Sequence, residues 1–194
     1  MLFLRILPPR VVIHTDGSCN ETLTGGYAAI VRTGVDEFIV TGGKKNTTNN
    51  RMELLAVISA IEQLQCSADV LIYSDSQYVV SGIAHVHCWK DNGWVSRSYK
   101  PVKNRDLWER YLSVAKRHQI KAIWQKSHNG EAYNELCDKL AKQARDTLIE
   151  SDIDEFNSPP HGFDGVTDDQ DTVKKVLQQN LTLIMKEVSG ESAA

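Results

Sequence analysis

Four acidic residues stand at positions where a carboxylate needs a reason. Asp16 ends the β-branched run RVVIHTD, Asp75 follows a second such run, Glu53 sits in the first turn of a helical segment, and Asp138 lies mid-way along another. If the two runs are neighbouring parallel strands, Asp16 and Asp75 emerge at the same sheet end, where open α/β sheets place their ligands. Each residue also has a local reading. Asp16 before Gly17 forms turns, and Asp75 caps a helix. Glu53 complements a helix N-terminus for about 0.3–1 kcal/mol, and Asp138 pairs with Lys142 at i+4 for about 0.2–0.5 kcal/mol. Spacing alone does not bring the four together. His128 stands in a Ser-His-Asn-Gly loop, where a lone histidine is ordinarily a surface residue.

A second feature is electrostatic. Residues 90–126 hold ten basic and three acidic side chains, and Trp89 and Trp94 are interleaved with Lys90, Arg97, Lys100, Lys103 and Arg105. Such a segment is either a solvated face or a binding surface for a polyanion. Two packed helices with core tryptophans would show the same pattern.

These residues need a scaffold. Short β-branched runs at 10–16, 27–32 and 37–41, with Asp16-Gly17 and Thr33-Gly34 as turn signals, predict an antiparallel meander. Apolar residues at 54, 55, 58, 61 and 64 predict an amphipathic helix over 51–65. A fourth strand is expected at 70–73, then a helix capped by Ser74 or Asp75 and reaching Ile83. A helix over 104–117, a strand over 118–125 and a helix over 131–147 complete the order β-β-β-α-β-α-α-β-α. Right-handed crossovers turn that order into an α/β fold, a five-stranded mixed sheet with helices on both faces.

The 194 residues suffice for one domain with a core, and no apolar run approaches the roughly 18 residues that span a bilayer. The start, MLFLRILPPR, lacks the long apolar stretch and cleavage site of a signal peptide. Cys19, Cys66, Cys88 and Cys137 have no paired spacing, so reduced thiols and a cytoplasmic location are expected, with no membrane contact. The net charge of -3 divides into +4 over residues 1–149 and -7 over 150–194. Three parts follow: a body at 1–149, an acidic flexible linker at 150–171 with Pro159-Pro160, and a tail at 172–194 with apolar residues at 173, 176, 177, 181, 184, 185 and 188. The tail helix is expected to pack on its own domain, self-associate or meet a protein, with disorder as the remaining reading; the chain is otherwise expected to be a monomer.

Eight blocks carry a resemblance. They are TDGSC (15–19), GGYAAI (25–30), TTNNRMELLAVISAIEQL (47–64), YSDSQYVVSGI (73–83), WKDNGW (89–94), KPVKNRDLW (100–108), HQIKAIW (118–124) and SHNGEAYNELCDKLA (127–141). In this order they resemble bacterial type 1 ribonuclease H. The resemblance implies the ribonuclease H-like fold and endonucleolytic hydrolysis of the RNA strand of RNA–DNA hybrids, giving 5′-phosphate and 3′-hydroxyl ends. It implies that Asp16, Glu53, Asp75 and Asp138 bind metal and that His128 assists catalysis. Clustered carboxylates repel and raise one another's pKa, and two divalent cations would relieve this. Mg²⁺ suits hard oxygen ligands, with Mn²⁺ as a substitute. Two such ions serve in-line attack on a phosphodiester. The resemblance further implies 2′-hydroxyl contacts by Asn49, Asn50, Gln77 and the Cys19 backbone, a DNA-phosphate pocket at Thr48 and Asn104, and a substrate-binding handle containing Trp89, Trp94, Lys100 and Lys103.

The chain departs from the pattern in NETLTGG after Cys19, at Asn46 in place of Arg, at Ser127 in place of Gly, and in a handle with two tryptophans interrupted by Asp91. Three other readings remain at this level: a hybrid-binding module without catalysis, a DNA-directed integrase or resolvase of the same fold, and a piece of a reverse transcriptase.

Overall fold

A computed structural model describes residues 8–34, 36–126 and 131–147. His128, the linker and the tail lie outside them. The order is β1 (Arg10–Cys19), β2 (Gly25–Thr33), β3 (Asp36–Lys44), α1 (Asn49–Glu62), β4 (Asp69–Ser74), α2 (Gln77–Asp91), α3 (Arg105–Ala115), β5 (Gln119–Trp124) and α4 (Ala132–Asp146). The five strands form one mixed sheet ordered β3-β2-β1-β4-β5, with β1, β4 and β5 parallel and β2 antiparallel to its neighbours. The expected succession and sheet are both present.

Strand alternation divides the core. Val11, Ile13, Ala29, Val31, Val70 and Ile72 join α1, α2 and α3 in the main cluster. On the other face Cys137, Leu140 and Ala141 of α4 bury with Ala28 and Ile30. Helix α1 lies at the centre, with every residue from Arg51 to Ile61 buried. It is therefore covered all round, and the stripe at 54, 55, 58 and 61 is only part of its buried surface. Trp108 of α3 is fully buried and gives its indole N–H to the Tyr78 hydroxyl at 2.9 Å. Gly82 makes room for it, because a Cβ there would lie 2.2 Å from Trp108 Cη2.

Two expectations need correction. The chain does not turn at Asp16-Gly17; β1 runs on to Cys19. A Cβ on Gly17 would lie 2.4 Å from the Glu53 nitrogen, so this glycine permits close approach of α1 to β1. Helix α2 does not stop at Ile83 but continues to Asp91, because Val79, Gly82 and Val86 bury at helical spacing and Trp89 extends that face onto the core.

Candidate active site

Parallel pairing of β1 with β4 sets Thr15 opposite Ser74, so Asp75, one residue past the end of β4, comes beside Asp16, which stays in β1 paired with Ala28 of β2. The close approach at Gly17 brings Glu53 of α1 to the same point. Asp16, Glu53 and Asp75 each place a carboxylate oxygen within 4.8 Å of the others. The three line an open cleft of about 390 Å³ with Asn49, Asn50, Gln77, Asn134 and Asp138.

The local readings now divide. Asp16 lies inside a strand, although its Oδ1 still accepts from the Gly17 amide at 2.7 Å. Asp75 does not cap α2; Ser76 does, accepting from the Val79 amide at 3.4 Å, which leaves the Asp75 carboxylate at the cleft. Glu53 is in the second turn of a helix that starts at Asn49, too deep to complement its N-terminus. Asp138 keeps its i+4 partner, with Lys142 Nζ 2.7 Å from Oδ2, and faces the cleft from α4 outside the close trio.

Burial and repulsion load this cluster. Asp16, 6% exposed, is pushed up to about 7, first by burial and then by the Asp75 charge. Glu53, 5% exposed, is raised well above the usual carboxylate range by burial and then by Asp16 and Asp75. Its Oε1 accepts from Asn49 Nδ2 at 3.3 Å, while Oε2 is buried without a hydrogen-bond partner. A buried carboxylate oxygen with no donor, beside two more carboxylates, is a site for a hard cation. The residues fit a divalent metal.

Asn49, Asn50 and Gln77 line the cleft, whereas Cys19, Thr48 and Asn104 are not among its lining residues. Thr48 is the N-cap of α1 but makes no side-chain capping bond. Cys19 ends β1, with its sulfur 3.7 Å from the Thr47 carbonyl oxygen. Asn104 precedes α3 in the left-handed conformation, φ 55°. Its Nδ2 donates to the Tyr78 hydroxyl at 2.9 Å, and its Oδ1 accepts from the Arg51 guanidinium at 3.5 Å. Arg51, buried to 2%, also makes a bidentate pair with Asp106 at 3.0 and 2.6 Å. Sequence reasoning missed Arg51 and Tyr78, because an arginine in a helix and a tyrosine in the next carry no local mark of a shared network.

The basic segment 89–105 runs from the end of α2 to the start of α3. Trp94 is buried in the core with the Arg105 guanidinium 5.5 Å above its ring, and Trp89 packs edge-on against Trp108. Both therefore pack into the core, as two packed helices with core tryptophans would have them. Lys100 and Lys103 are exposed, and Tyr99, immediately before Lys100, is 91% exposed. Tyr99 was not singled out from sequence; its place among Arg97, Lys100 and Lys103 was the available signal.

The sequence model of the RNase H family matches residues 8–146. The chain is 49% identical over 146 residues to Ribonuclease H of Rhodopseudomonas palustris (strain HaA2), covering 74% of this chain and 89% of that protein. It is 50% identical over 137 residues to Ribonuclease H of Afipia carboxidovorans, covering 70% of this chain and 92% of the relative. Among solved structures it is similar to LC9-RNase H1, a type 1 RNase H with the type 2 active-site motif, at TM-score 0.67 and 29% identity over 76% of this chain and 77% of that one. Foamy viral protease-reverse transcriptase, solved in complex with RNA/DNA hybrid, shares the fold at TM-score 0.60 and 23% identity, over 76% of this chain and 21% of its own. Sequence, fold and the acidic cleft agree: this chain belongs to the ribonuclease H family, endoribonucleases that cut the RNA strand of RNA–DNA hybrids.

Proposed function

We propose that the acidic cleft hydrolyses the RNA strand with Mg²⁺ held by Asp16, Glu53, Asp75 and Asp138, two ions serving in the active complex and Mn²⁺ able to substitute, and that it leaves 5′-phosphate and 3′-hydroxyl ends. The observation that carries this is the trio of carboxylates within 4.8 Å, one oxygen of which is buried without a donor. Divalent cations bound there supply charge stabilisation to the phosphodiester and acidify a water. The protein's part is positional. Asp16 and Glu53 are fixed within a strand and a helix. Asn49, Asn50 and Gln77 present side-chain amides along the same cleft, and an amide both donates to and accepts from a ribose 2′-hydroxyl. Thr48 and Asn104 are assigned to a phosphate of the DNA strand, where the N-terminus of α1 favours an anion. His128 is assigned to proton transfer or product departure.

Labelled RNA–DNA hybrid, duplex RNA and duplex DNA, each incubated with Mg²⁺ and with EDTA, test the reading. Cleavage is expected for the hybrid with Mg²⁺ alone. Cleavage of duplex DNA, or of hybrid in EDTA, would overturn it.

Three further results are expected. Replacing Lys100 and Lys103 by Gln raises KM, leaves kcat nearly unchanged and lowers the slope of log affinity against log salt by roughly 0.9 for each phosphate no longer neutralised. An unchanged slope would make these lysines a solvated face. His128→Ala slows turnover without abolishing it, since metal-held charge carries most of the stabilisation; a loss as complete as that of Asp16→Asn would refute the assignment. Deleting residues 150–194 leaves cleavage of the hybrid intact, because the catalytic unit is proposed to end by residue 149. A folded truncation without hydrolysis would place part of the machinery beyond it.

A further inference from the structure

Of the three close carboxylates, Asp16 and Glu53 are held by the backbone of a strand and a helix, but Asp75 is not. It lies one residue past the end of β4 and just before Ser76, the N-cap of α2. Two side chains from other elements reach it. The indole Nε1–H of Trp124, at the end of β5, donates to the Asp75 carbonyl oxygen at 2.9 Å. The Nδ2 of Asn134, in the first turn of α4 and 5% exposed, lies 3.5 Å from the Asp75 carboxylate Oδ2.

Trp124 is an unusual residue to find in this role. The residue is 46% exposed, one of three large hydrophobic residues at least that exposed among the described residues, so burial alone does not account for it. Its N–H is nevertheless aimed at the loop that carries Asp75. The β4–β5 register sets Ser74 opposite Trp124, and the Gln125 amide continues the pairing to the Ser74 carbonyl at 2.9 Å. The indole therefore extends the sheet's hold by one residue, from Ser74 to Asp75. Asn134 approaches from α4, across the cleft, and touches the carboxylate itself.

We infer that Trp124 and Asn134 are positioning residues that clamp Asp75, one on its backbone and one on its carboxylate, and so set the metal-binding geometry of the trio. The inference rests on the reading that the acidic cluster takes up a divalent ion. Groups that orient a metal-binding carboxylate typically contribute about 10-fold or more to affinity or activity.

The test uses Trp124→Phe, which keeps a ring and deletes the N–H, and Asn134→Ala. Melting of the substrate-free, full-length protein is followed as Mg²⁺ is titrated, and kcat and KM are measured on the hybrid. In each variant the Mg²⁺ concentration for half-maximal stabilisation is expected to rise, and kcat to fall, by about 10-fold, with KM little changed. Trp124→His, which retains an N–H donor, is expected to recover part of the loss. Variants that match the parent in both titration and kcat would overturn the clamp, as would a fall in melting temperature with no change in either. If Trp124→Phe does not fold, Asn134→Ala decides in the same way. A parent protein that Mg²⁺ neither stabilises nor activates would instead sink the metal reading itself.

Discussion

Asp16→Asn is expected to lose hydrolysis by on the order of 1,000-fold, the upper end for removal of a transition-state charge partner, and yet to melt at a higher temperature than the parent in EDTA at pH 8. The two effects have one cause. Asp16 is buried among other carboxylates, and its pKa in the fold stands at about 7 against an ordinary value of 3.8. A carboxyl whose folded pKa is raised binds its proton more tightly folded than unfolded. Its contribution is complete below about pH 4 and is lost as pH rises through about 7. Metal-free protein should therefore lose stability across that window, by up to the order of 4 kcal/mol from Asp16, and Glu53 acts in the same direction. An amide keeps the shape without the charge, so the variant should gain most at pH 8 and little at pH 5. Mg²⁺ should stabilise the parent more than the variant. Thermal melts at the two pH values, with and without Mg²⁺, decide it; a variant less stable than the metal-free parent at pH 8 would contradict the electrostatic account.

Gly17→Ala is expected to damage both fold and catalysis. The added methyl carbon would lie 2.4 Å from the Glu53 nitrogen and 2.8 Å from the Met52 carbonyl carbon, and these are backbone atoms of the central helix. Overpacking of this kind costs about 3 kcal/mol, which for a domain of this size lowers the melting temperature by roughly 6–12 °C. Relief comes only by moving α1 away from β1, and Glu53 moves with it. A displacement near 1 Å costs on the order of 100-fold in rate. Gly34→Ala is the control, since its φ of +79° carries a conformational cost but nothing lies within 4 Å of a new Cβ; it should lose about 1 kcal/mol and no activity. Equal effects at the two glycines would mean that Gly17 serves the backbone conformation and not the approach of α1.

The local sequence determined the succession of elements, because alternation and helical spacing are local consequences of burying one face. The parallel pairing of β1 with β4 that sets Asp16 beside Asp75 stayed a condition until the sheet was seen. Local sequence also marked the basic segment at 89–105 and the separate composition of residues 150–194. Other features depended on where distant segments meet. Gly17 reads as a turn until α1 is found against it, and Asp75 reads as a cap until Ser76 is found in that position. Trp94 reads equally as a core or a binding residue until the core is found around it. The separation of Asp138, paired with Lys142, from the close trio has no counterpart in spacing. Nor do the hydrogen bonds of Trp124 and Asn134 to Asp75, which span 49 and 59 residues. Local sequence specifies the element a side chain belongs to and the face it takes. Its partners are decided by the packing of whole elements, which fixes distances between residues that share no local pattern.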